Sequence, residues 1–367
     1  MSTAIPQMPM PMWASGPDAW MNMWQQAMTK AMAMPKVLEA MQKVRVGVTP
    51  SRPVYREDNL RLLRYERAGE AKHETPVLFV FALVNRPYIL DLKTGKSVVS
   101  HFVDAGFDTY KIDWGVPGDG DRYLGLDDYV LRYMDNIVDK ICERTGSEQV
   151  SIVGYCMGGT MSAMYAALRP EKVKNLVLMA APVDWSKRDS LLTLWTDEKY
   201  FDVDKMLAVY GNAPAGWLQA SFQYLKPVGN LLEKPLNFYD NMHDEKFLED
   251  FFAMETWLND NIPVAGETFR QFVKDCFQRN LLMQGKLEVG DERVDFKNIR
   301  CPVLNLIAEF DHLVTPSQSQ PFTDAVGSSD RKTVMFKAGH IGLAVSSRAH
   351  KELWPNVVDW LAQRSKV

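Results

Sequence analysis

Residues 149–168 read QVSIVGYCMGGTMSAMYAAL, and this stretch decides the fold of the chain. The apolar, β-branched run at 150–153 predicts a buried strand, and the following run at 160–168 predicts a helix. A strand, a tight turn and a helix in this order are the context in which a G-x-[nucleophile]-x-G motif has meaning. The stretch therefore predicts a sheet whose strands alternate with helices, with Cys156 as a candidate nucleophile at the turn.

Three glycines and one cysteine form the turn. Gly154, Gly158 and Gly159 lack the Cβ atoms that would clash where a strand bends sharply into a helix. Cys156 is then held at the carboxyl end of the strand, beside the positive end of the helix dipole, where a thiolate is favoured. A glycine-rich turn of this kind is also typical of a buried structural cysteine. The interpretation of Cys156 as a nucleophile therefore requires partner residues elsewhere in the chain.

Two downstream signals stand at the ends of predicted strands. Asp311 follows the apolar run at 303–310, and His340 follows the run at 334–336. Each alone could be an ordinary loop residue, the aspartate a loop cap and the histidine a turn residue. Nucleophile, acid and histidine in this chain order are typical of the α/β-hydrolase fold and of no other fold with the same three residues. Together they predict a catalytic site of Cys156, Asp311 and His340.

Further site residues follow from this arrangement. His312 is next to the acid, and because a strand-end loop aims one of two neighbours into a site, we expect His312 to have a supporting part at best. An oxyanion requires backbone N–H groups aimed at the developing charge. We expect one from Met157, the residue after the nucleophile, and one from Val84, in the loop after the strand predicted at 76–84.

From residue 60 onward the chain alternates strands with helices. This pattern predicts a mainly parallel sheet covered on both faces. Predicted strands lie at 60–65, 76–84, 108–112, 150–153, 175–181, 303–308 and 333–336, and predicted helices at 97–104, 129–144, 160–168 and 353–361.

Between residues 182 and 299 the alternation stops, although a minimal fold needs only a helix or two there. The stretch is rich in aromatic residues and has a helical pattern. We predict a cap at 182–299, inserted above the carboxyl edge of an α/β-hydrolase core formed by 51–181 and 300–367. An independent domain is the alternative.

Residues 1–50 are predicted to be a separate segment. Half of the 20 methionines fall within residues 1–41, and the prolines of Met8-Pro9-Met10-Pro11-Met12 exclude a regular helix there. A helix start at Ser15-Gly16-Pro17-Asp18 precedes apolar residues at helical spacing: Trp20, Met23, Trp24, Ala27, Met28 and Ala31. The helix could pack on the protein's own core. Alternatively it is an adaptable surface for a partner subunit or a hydrophobic particle, since methionine-rich faces suit variable partners.

Composition excludes several functions. The net charge of −4, without a long run of lysine and arginine, argues against a nucleic-acid surface. The four scattered cysteines contain no C-x-x-C pair, which argues against a zinc site and favours a reducing compartment. No apolar run is long enough to cross a bilayer, and the N-terminus lacks the pattern of a secretory signal. We therefore expect a cytoplasmic protein without a transmembrane segment.

The choice of cysteine rather than serine favours acyl transfer. A thiolate that attacks an acyl thioester forms another thioester, so the acyl group stays activated, whereas a serine would form a more stable oxoester. Cysteine therefore suits transfer from a coenzyme A thioester to an alcohol better than plain hydrolysis.

At this point the chain resembles a known family, the polyhydroxyalkanoate synthases, and in particular the short catalytic subunit of the two-component enzymes (class III/IV-like). The resemblance runs from about residue 48 to the C-terminus. It rests on GYCMGG at 154–159, NRPYILDL at 85–92, IDWG at 112–115, LDDY at 126–129, AGETFRQF at 265–272 and GH at 339–340.

The resemblance implies polymerisation of (R)-3-hydroxyacyl-coenzyme A, typically 3-hydroxybutyryl-coenzyme A, with release of coenzyme A through a cysteine-linked acyl intermediate. It implies Cys156 as nucleophile, His340 as general base and Asp311 as the acid that assists the base or activates the substrate hydroxyl. A companion subunit, a homodimer or hetero-oligomer, and residence on polyester granules are implied as well. We expect no metal and no bound cofactor, since coenzyme A is a product.

Two alternatives stay open. One is a cysteine-dependent thioesterase or lactone hydrolase of the same fold, which would give soluble hydroxy acid instead of polymer. The other is a non-catalytic granule-coating protein, although a binding module has no need of a matched cysteine, aspartate and histidine.

Overall fold

A computed structural model of the protein describes residues 17–365. Its strands are β1 (Ser51–Glu57), β2 (Leu60–Tyr65), β3 (Val77–Val80), β4 (Asp91–Lys93), β5 (Lys96–Ser97), β6 (Thr109–Asp113), β7 (Val150–Tyr155), β8 (Val173–Met179), β9 (Glu288–Val289), β10 (Glu292–Arg293), β11 (Val303–Ala308) and β12 (Arg331–Phe336).

Eight of these strands form one sheet in the order β1-β2-β6-β3-β7-β8-β11-β12. The strands β6, β3, β7, β8, β11 and β12 are parallel to one another. At one edge of the sheet, β2 pairs antiparallel with β6 and β1 pairs antiparallel with β2. Every residue of β3, β7 and β11 is buried, as expected of central strands with helices on both faces. The predicted α/β-hydrolase architecture with a mainly parallel sheet is therefore confirmed.

The α-helices are α1 (Pro17–Lys43), α2 (Val98–Asp104), α3 (Met134–Thr145), α4 (Met157–Leu168), α5 (Leu191–Trp195), α6 (Val203–Tyr210), α7 (Ala215–Tyr224), α8 (Lys234–Asn241), α9 (Glu245–Asn259), α10 (Gly266–Gln271), α11 (Pro316–Ser319), α12 (Phe322–Ala325), α13 (Gly342–Val345) and α14 (Trp354–Arg364). Wider, π-helical segments lie at Asp128–Tyr133, Gly229–Glu233, Phe272–Gln278 and Ala349–Leu353. Short 3-10 turns lie at Pro87–Leu90, Asp119–Tyr123, Pro170–Lys172 and Phe296–Asn298.

Helix α4 carries the nucleophile turn and is buried almost throughout. Its residues from Met157 to Ala167 are all buried, because small and apolar side chains surround the whole helix. A helix that is apolar on every side can lie only inside a protein. This burial fixes its N-terminus rigidly against the end of β7.

The observed elements differ from the sequence prediction at several ends. The strand predicted at 76–84 ends at Val80, and the helix predicted at 129–144 begins with a π-helical segment. Strand β1 was not predicted, because Pro53 and its charged residues obscure the strand pattern. The predictions for Met8–Met12, and for the side chains of Trp20, Met23 and Ala27, lie outside the described residues.

By contacts, the chain divides into two compact units. The first combines residues up to 44 with 227–255, and the second combines 45–226 with 256 onward. In the first unit, Ala33 and Val37 of α1 share a small core with Met242 and Leu248. Residues 227–255, which fall within the range predicted as a cap, thus group with α1. The predicted division into segment, core and cap stays a prediction.

In the second unit, parts of the range 182–299 contact the sheet's loops directly. Asn261 forms a bridge with Asn85, and the indole N–H of Trp257 donates to the carbonyl of Arg86 at 2.8 Å. Asp189 accepts hydrogen bonds from Thr315 at 2.9 Å and from the hydroxyl of Ser317 at 2.6 Å. These contacts attach the inserted segments to loops that follow β3 and β11. None of the helices among the described residues has the length and apolar character that crossing a membrane requires.

Candidate active site

Cys156 occupies a strained backbone position between β7 and α4. Its φ of 55° and ψ of −129° lie in a region that side-chain-bearing residues rarely adopt. Two hydrogen bonds fix this turn: the Cys156 N–H donates to the carbonyl of Met179 at 2.9 Å, and the Gly159 N–H donates to the carbonyl of Cys156 at 2.9 Å. Strain held in this way at the end of a central strand is typical of a nucleophile turn.

The glycines of the turn are required by close packing. A Cβ at Gly154 would lie 2.6 Å from the Cα of Gly159, and a Cβ at Gly158 would lie 2.5 Å from the carbonyl oxygen of Phe81. Real Cβ contacts are never this short, so larger residues would push the helix away from β7 and from the end of β3. These distances agree with the prediction that the turn requires residues without a Cβ at Gly154 and Gly158.

Asp311 and His340 come together from the loops after β11 and β12. The Nδ1–H of His340 donates to Oδ2 of Asp311 at 2.7 Å, and the Asp311 side chain is fully buried. The other carboxylate oxygen, Oδ1, accepts the backbone N–H groups of Leu313 and Val314, both at 2.9 Å. The loop after β11 thus orients the carboxylate, and the carboxylate orients the imidazole.

His340 Nδ1 is bound to Asp311, which leaves Nε2 for Cys156, and the two residues lie close enough to interact. Burial by itself lowers the pKa of His340, but the Asp311 carboxylate and Cys156 outweigh burial and raise that pKa to about 10. An imidazole held in this way is a strong base toward a neighbouring thiol. The structure therefore brings Cys156, His340 and Asp311 together in one site, with a hydrogen bond between His340 and Asp311.

The remaining predicted residues lie in different surroundings. Met157 is the first residue of α4, so its N–H has no acceptor within the helix. Val84 lies three residues beyond Phe81, and its carbonyl accepts the N–H of Ile262 at 3.2 Å. His312 is exposed at the surface, whereas its neighbour Asp311 is buried.

Two contacts of the site were not predicted from sequence. The indole N–H of Trp114 donates to the carbonyl of Phe81 at 2.9 Å and so holds the loop that follows β3. Tyr155, the residue before the nucleophile, lies against the ring of His340. The only available signal for Tyr155 is its place in the motif, which does not reveal a contact with a residue far along the chain.

Among residues 17–365, no group of three or more histidine, cysteine or acidic residues is arranged to hold a metal ion.

Two sequence families match this chain. A model described as the alpha/beta hydrolase fold matches residues 76–346, and a model described as the N-terminus of poly-beta-hydroxybutyrate polymerase (PhaC) matches residues 22–102.

Several curated proteins are similar over most of their length. The chain is 45% identical over 352 residues to the poly(3-hydroxyalkanoate) polymerase subunit PhaC of Haloferax mediterranei, covering 95% of this chain and 72% of that protein. It is 44% identical over 328 residues to the subunit of the same name from Synechocystis, covering 88% and 86%. For the subunit of Allochromatium vinosum the identity is 42% over 320 residues, covering 87% and 90%.

Solved structures of other proteins are similar to this chain in fold alone. A protein described as a lipase from Sulfolobus solfataricus aligns with a TM-score of 0.53 at 16% identity, covering 86% of this chain and 98% of that one. A protein described as the non-heme bromoperoxidase BpoC of Mycobacterium tuberculosis aligns with a TM-score of 0.51 at 16% identity, covering 86% and 100%.

Proposed function

The chain belongs to the family of poly(3-hydroxyalkanoate) polymerase subunits, a family of acyltransferases, and from this premise we propose its substrate and its chemistry. The substrate is (R)-3-hydroxyacyl-coenzyme A, first of all 3-hydroxybutyryl-coenzyme A. The product is polyester, and coenzyme A is released. The placement of Cys156 beside His340, which is hydrogen-bonded to Asp311, is the observation that supports this proposal most strongly.

Acylation is the first step of the proposed cycle. His340 takes the proton of Cys156, and the thiolate attacks the carbonyl carbon of the acyl thioester. The tetrahedral oxyanion is bound by the N–H groups of Met157 and Val84. The bond from carbon to the coenzyme A sulfur then breaks, coenzyme A leaves with the proton that His340 held, and Cys156 carries the acyl group.

Chain growth is the second step. The 3-hydroxyl group of an incoming hydroxyacyl-coenzyme A attacks the Cys156 thioester, and His340, assisted by Asp311, takes the hydroxyl proton. A new ester bond forms and the bond from carbon to the Cys156 sulfur breaks, which returns the thiol. The lengthened chain, now on coenzyme A, acylates Cys156 again and releases coenzyme A. His312 has at most a supporting part at the rim of the site.

The cycle assigns every proton and acyl movement to a side chain of this protein or to the substrate. We therefore propose that no metal and no bound cofactor takes part, with coenzyme A appearing only as a product.

The first unit exposes apolar side chains that could bind the surface of the insoluble polyester. Large apolar side chains are more than half exposed along α1, at Met21, Trp24, Met28, Met32, Leu38 and Met41. On α8 and the segment before it, Leu231, Leu232 and Leu236 are exposed as well. Apolar surface of this extent is typical of an interaction site. We propose that the enzyme resides at polyester granules and assembles with a companion subunit, as a homodimer or hetero-oligomer.

Purified protein mixed with (R)-3-hydroxybutyryl-coenzyme A, with and without a companion subunit, tests the proposal. Coenzyme A is followed by its free thiol, and the acyl product is separated into insoluble polymer and soluble 3-hydroxybutyrate. We expect insoluble polymer in proportion to the coenzyme A released. Soluble hydroxy acid as the main product would instead identify a hydrolase, and no release in any condition would contradict both functions.

A further inference from the structure

Tyr155 stands directly before the nucleophile and touches the base that acts on it. It is the last residue of β7, and its side chain is fully buried. Its ring stacks on the ring of His340, with centroids 5.1 Å apart and planes inclined by 28°. Its hydroxyl donates to the backbone carbonyl of His340 at 3.1 Å. One side chain thus holds both the ring and the backbone of His340.

The hydrogen bond matters because His340 lies in a loop. Residues 337–341 form neither helix nor strand, and their backbone is held at Ala338, which accepts the N–H of Phe310 at 3.0 Å and donates to the carbonyl of Phe336 at 2.8 Å. Burial raises the pKa of Tyr155 well above its usual range, so the hydroxyl stays a donor at every pH of interest. The bond to the His340 carbonyl therefore ties the loop after β12 to the end of the nucleophile strand.

The contact between the Tyr155 and His340 rings restricts the tilt of the imidazole, which the hydrogen bond to Asp311 does not. The bond from His340 Nδ1 to Asp311 lies in the imidazole plane and leaves tilt about that bond free. Tyr155 lies against the imidazole face, and Phe81 supports Tyr155 from another side at 5.4 Å in an edge arrangement. An aromatic face close to an imidazole also attracts its protonated form.

We propose that Tyr155 is a positioning residue for His340: its hydroxyl fixes the His340 backbone, and its ring sets the tilt of the imidazole and supports the imidazolium. This inference rests on the proposed function, because it takes His340 as the base for Cys156. It goes beyond that function because an aliphatic residue would fill the same volume without either contact.

Two substitutions separate the contributions. Tyr155→Phe removes the hydroxyl and keeps the ring, whereas Tyr155→Leu removes both. Tyr165→Phe is the matched control, since Tyr165 is also fully buried and its hydroxyl bonds Asp135, away from the site.

Two measurements are made on each variant over a range of pH. The first is kcat and KM for coenzyme A release. The second is the rate at which iodoacetamide alkylates Cys156, read from the mass of the peptide that carries it. Alkylation needs no acyl substrate, so it reports on the pairing of Cys156 with His340 even if the protein proves not to polymerise.

For Tyr155→Phe we expect kcat to fall about fivefold, the loss typical of one hydrogen bond, with KM and the pH profiles unchanged. For Tyr155→Leu we expect a further fall of about tenfold in kcat, and we expect the high-pH limit of the kcat profile to move to lower pH by about one unit. The rise of the alkylation rate with pH should move to higher pH, because the imidazolium stabilises the thiolate less. Tyr165→Phe should change neither profile nor kcat.

Unchanged kcat in Tyr155→Phe would overturn the backbone role of the hydroxyl. Unchanged alkylation profiles in Tyr155→Leu would overturn the role of the ring. If Tyr155→Leu does not fold, Tyr155→Trp and Tyr155→Met are compared instead. A pH profile that is retained in Tyr155→Trp but shifted in Tyr155→Met would support the role of the ring. Equal profiles in those two variants would contradict it.

Discussion

At the residue scale, three side chains separated widely in sequence meet in one site. The backbone N–H groups of Leu313 and Val314 hold Asp311, Asp311 holds His340, and His340 lies beside Cys156. In the proposed mechanism, Asp311 orients His340 and His340 activates the thiol of Cys156, so the reactivity of the thiol depends on this carboxylate. Removing that carboxylate should therefore change the chemistry more than the fold.

We predict that Asp311→Asn lowers kcat for coenzyme A release by about 10²- to 10⁴-fold, because the imidazole loses the acceptor that fixes its tautomer. The pH dependence has a definite sign. The carboxylate is the main cause that raises the pKa of His340 to about 10, so without it burial dominates and the imidazolium loses its proton at lower pH. The high-pH limit of the kcat profile should move to lower pH. A profile with the same limit as the wild type would contradict this role of Asp311.

At the element scale, a pair of histidines, His101 and His350, joins α2 to the segment before α14. His101 Nε2 lies 3.1 Å from His350 Nδ1, and the planes of the two rings are inclined by only 9°. Burial lowers the pKa of both, and that of His350 falls to about 4, with the charge of His101 and of Lys96 acting in the same direction. Nearby Asp104 opposes the shift at His101.

The unfolded chain binds protons here at higher pH than the folded protein does. Stability from this contact is therefore full above about pH 6.5 and is lost as the pH falls toward about 4. We predict that His350→Gln flattens the pH dependence of the unfolding free energy across this window, measured by urea unfolding. His312→Gln is the control, because His312 is exposed. Equal slopes in His350→Gln and the wild type would contradict the account.

The outer face of α1 gives another prediction at this scale. Trp24 and Met28 lie one turn apart and are more than half exposed. Changing both to glutamine should weaken sedimentation of the protein with preformed polyester particles several-fold and leave thermal stability unchanged, because the buried face of α1 is untouched. Gln42→Asn, an exposed polar change on the same helix, is the control. Unaltered sedimentation would assign the face no part in granule contact.

How far the sequence predicts this protein depends on whether the signal is local. Local patterns are the glycines around Cys156, the apolar runs of the strands, and the positions of Asp311 and His340 directly after such runs. The observed strands and helices agree with these patterns. Strand β1 was missed because it is an edge strand whose Pro53 and charged residues hide its alternation. The Tyr155 contact with His340 and the core of Ala33 with Leu248 join residues far apart, and no pattern in one sequence announces such pairings.

At the scale of the whole molecule, the proposed acyl thioester on Cys156 requires that the site exclude water. Segments of the range 182–299 are fastened to the loops after β3 and β11, through Trp257 with Arg86 and through Asp189 with Thr315. We propose that the parts of this range in the second unit, 182–226 and 256–299, close over the site; they must then open for coenzyme A and polymer to pass.

We therefore predict a lag before steady coenzyme A release by the catalytic subunit alone, shortened by a companion subunit or by a primed acyl chain. Hydrogen exchange should then change in residues 184–226 and 256–277 when the companion is added, while the strands of the sheet keep their protection. Identical exchange in these segments with and without the companion would remove the gating role and leave a static wall.

The central claim is that Cys156 carries the growing acyl chain, and trapping that intermediate tests it most directly. The protein is mixed with (R)-3-hydroxybutyryl-coenzyme A and quenched in acid within the first turnovers, and the peptide that carries Cys156 is weighed by mass spectrometry. We predict a mass increase of one or more hydroxybutyryl units on that peptide, released by hydroxylamine. Cys156→Ala should show neither the adduct nor coenzyme A release, and Cys156→Ser should show a trace of release. Near-normal coenzyme A release by Cys156→Ala, or an adduct on another residue, would contradict the account.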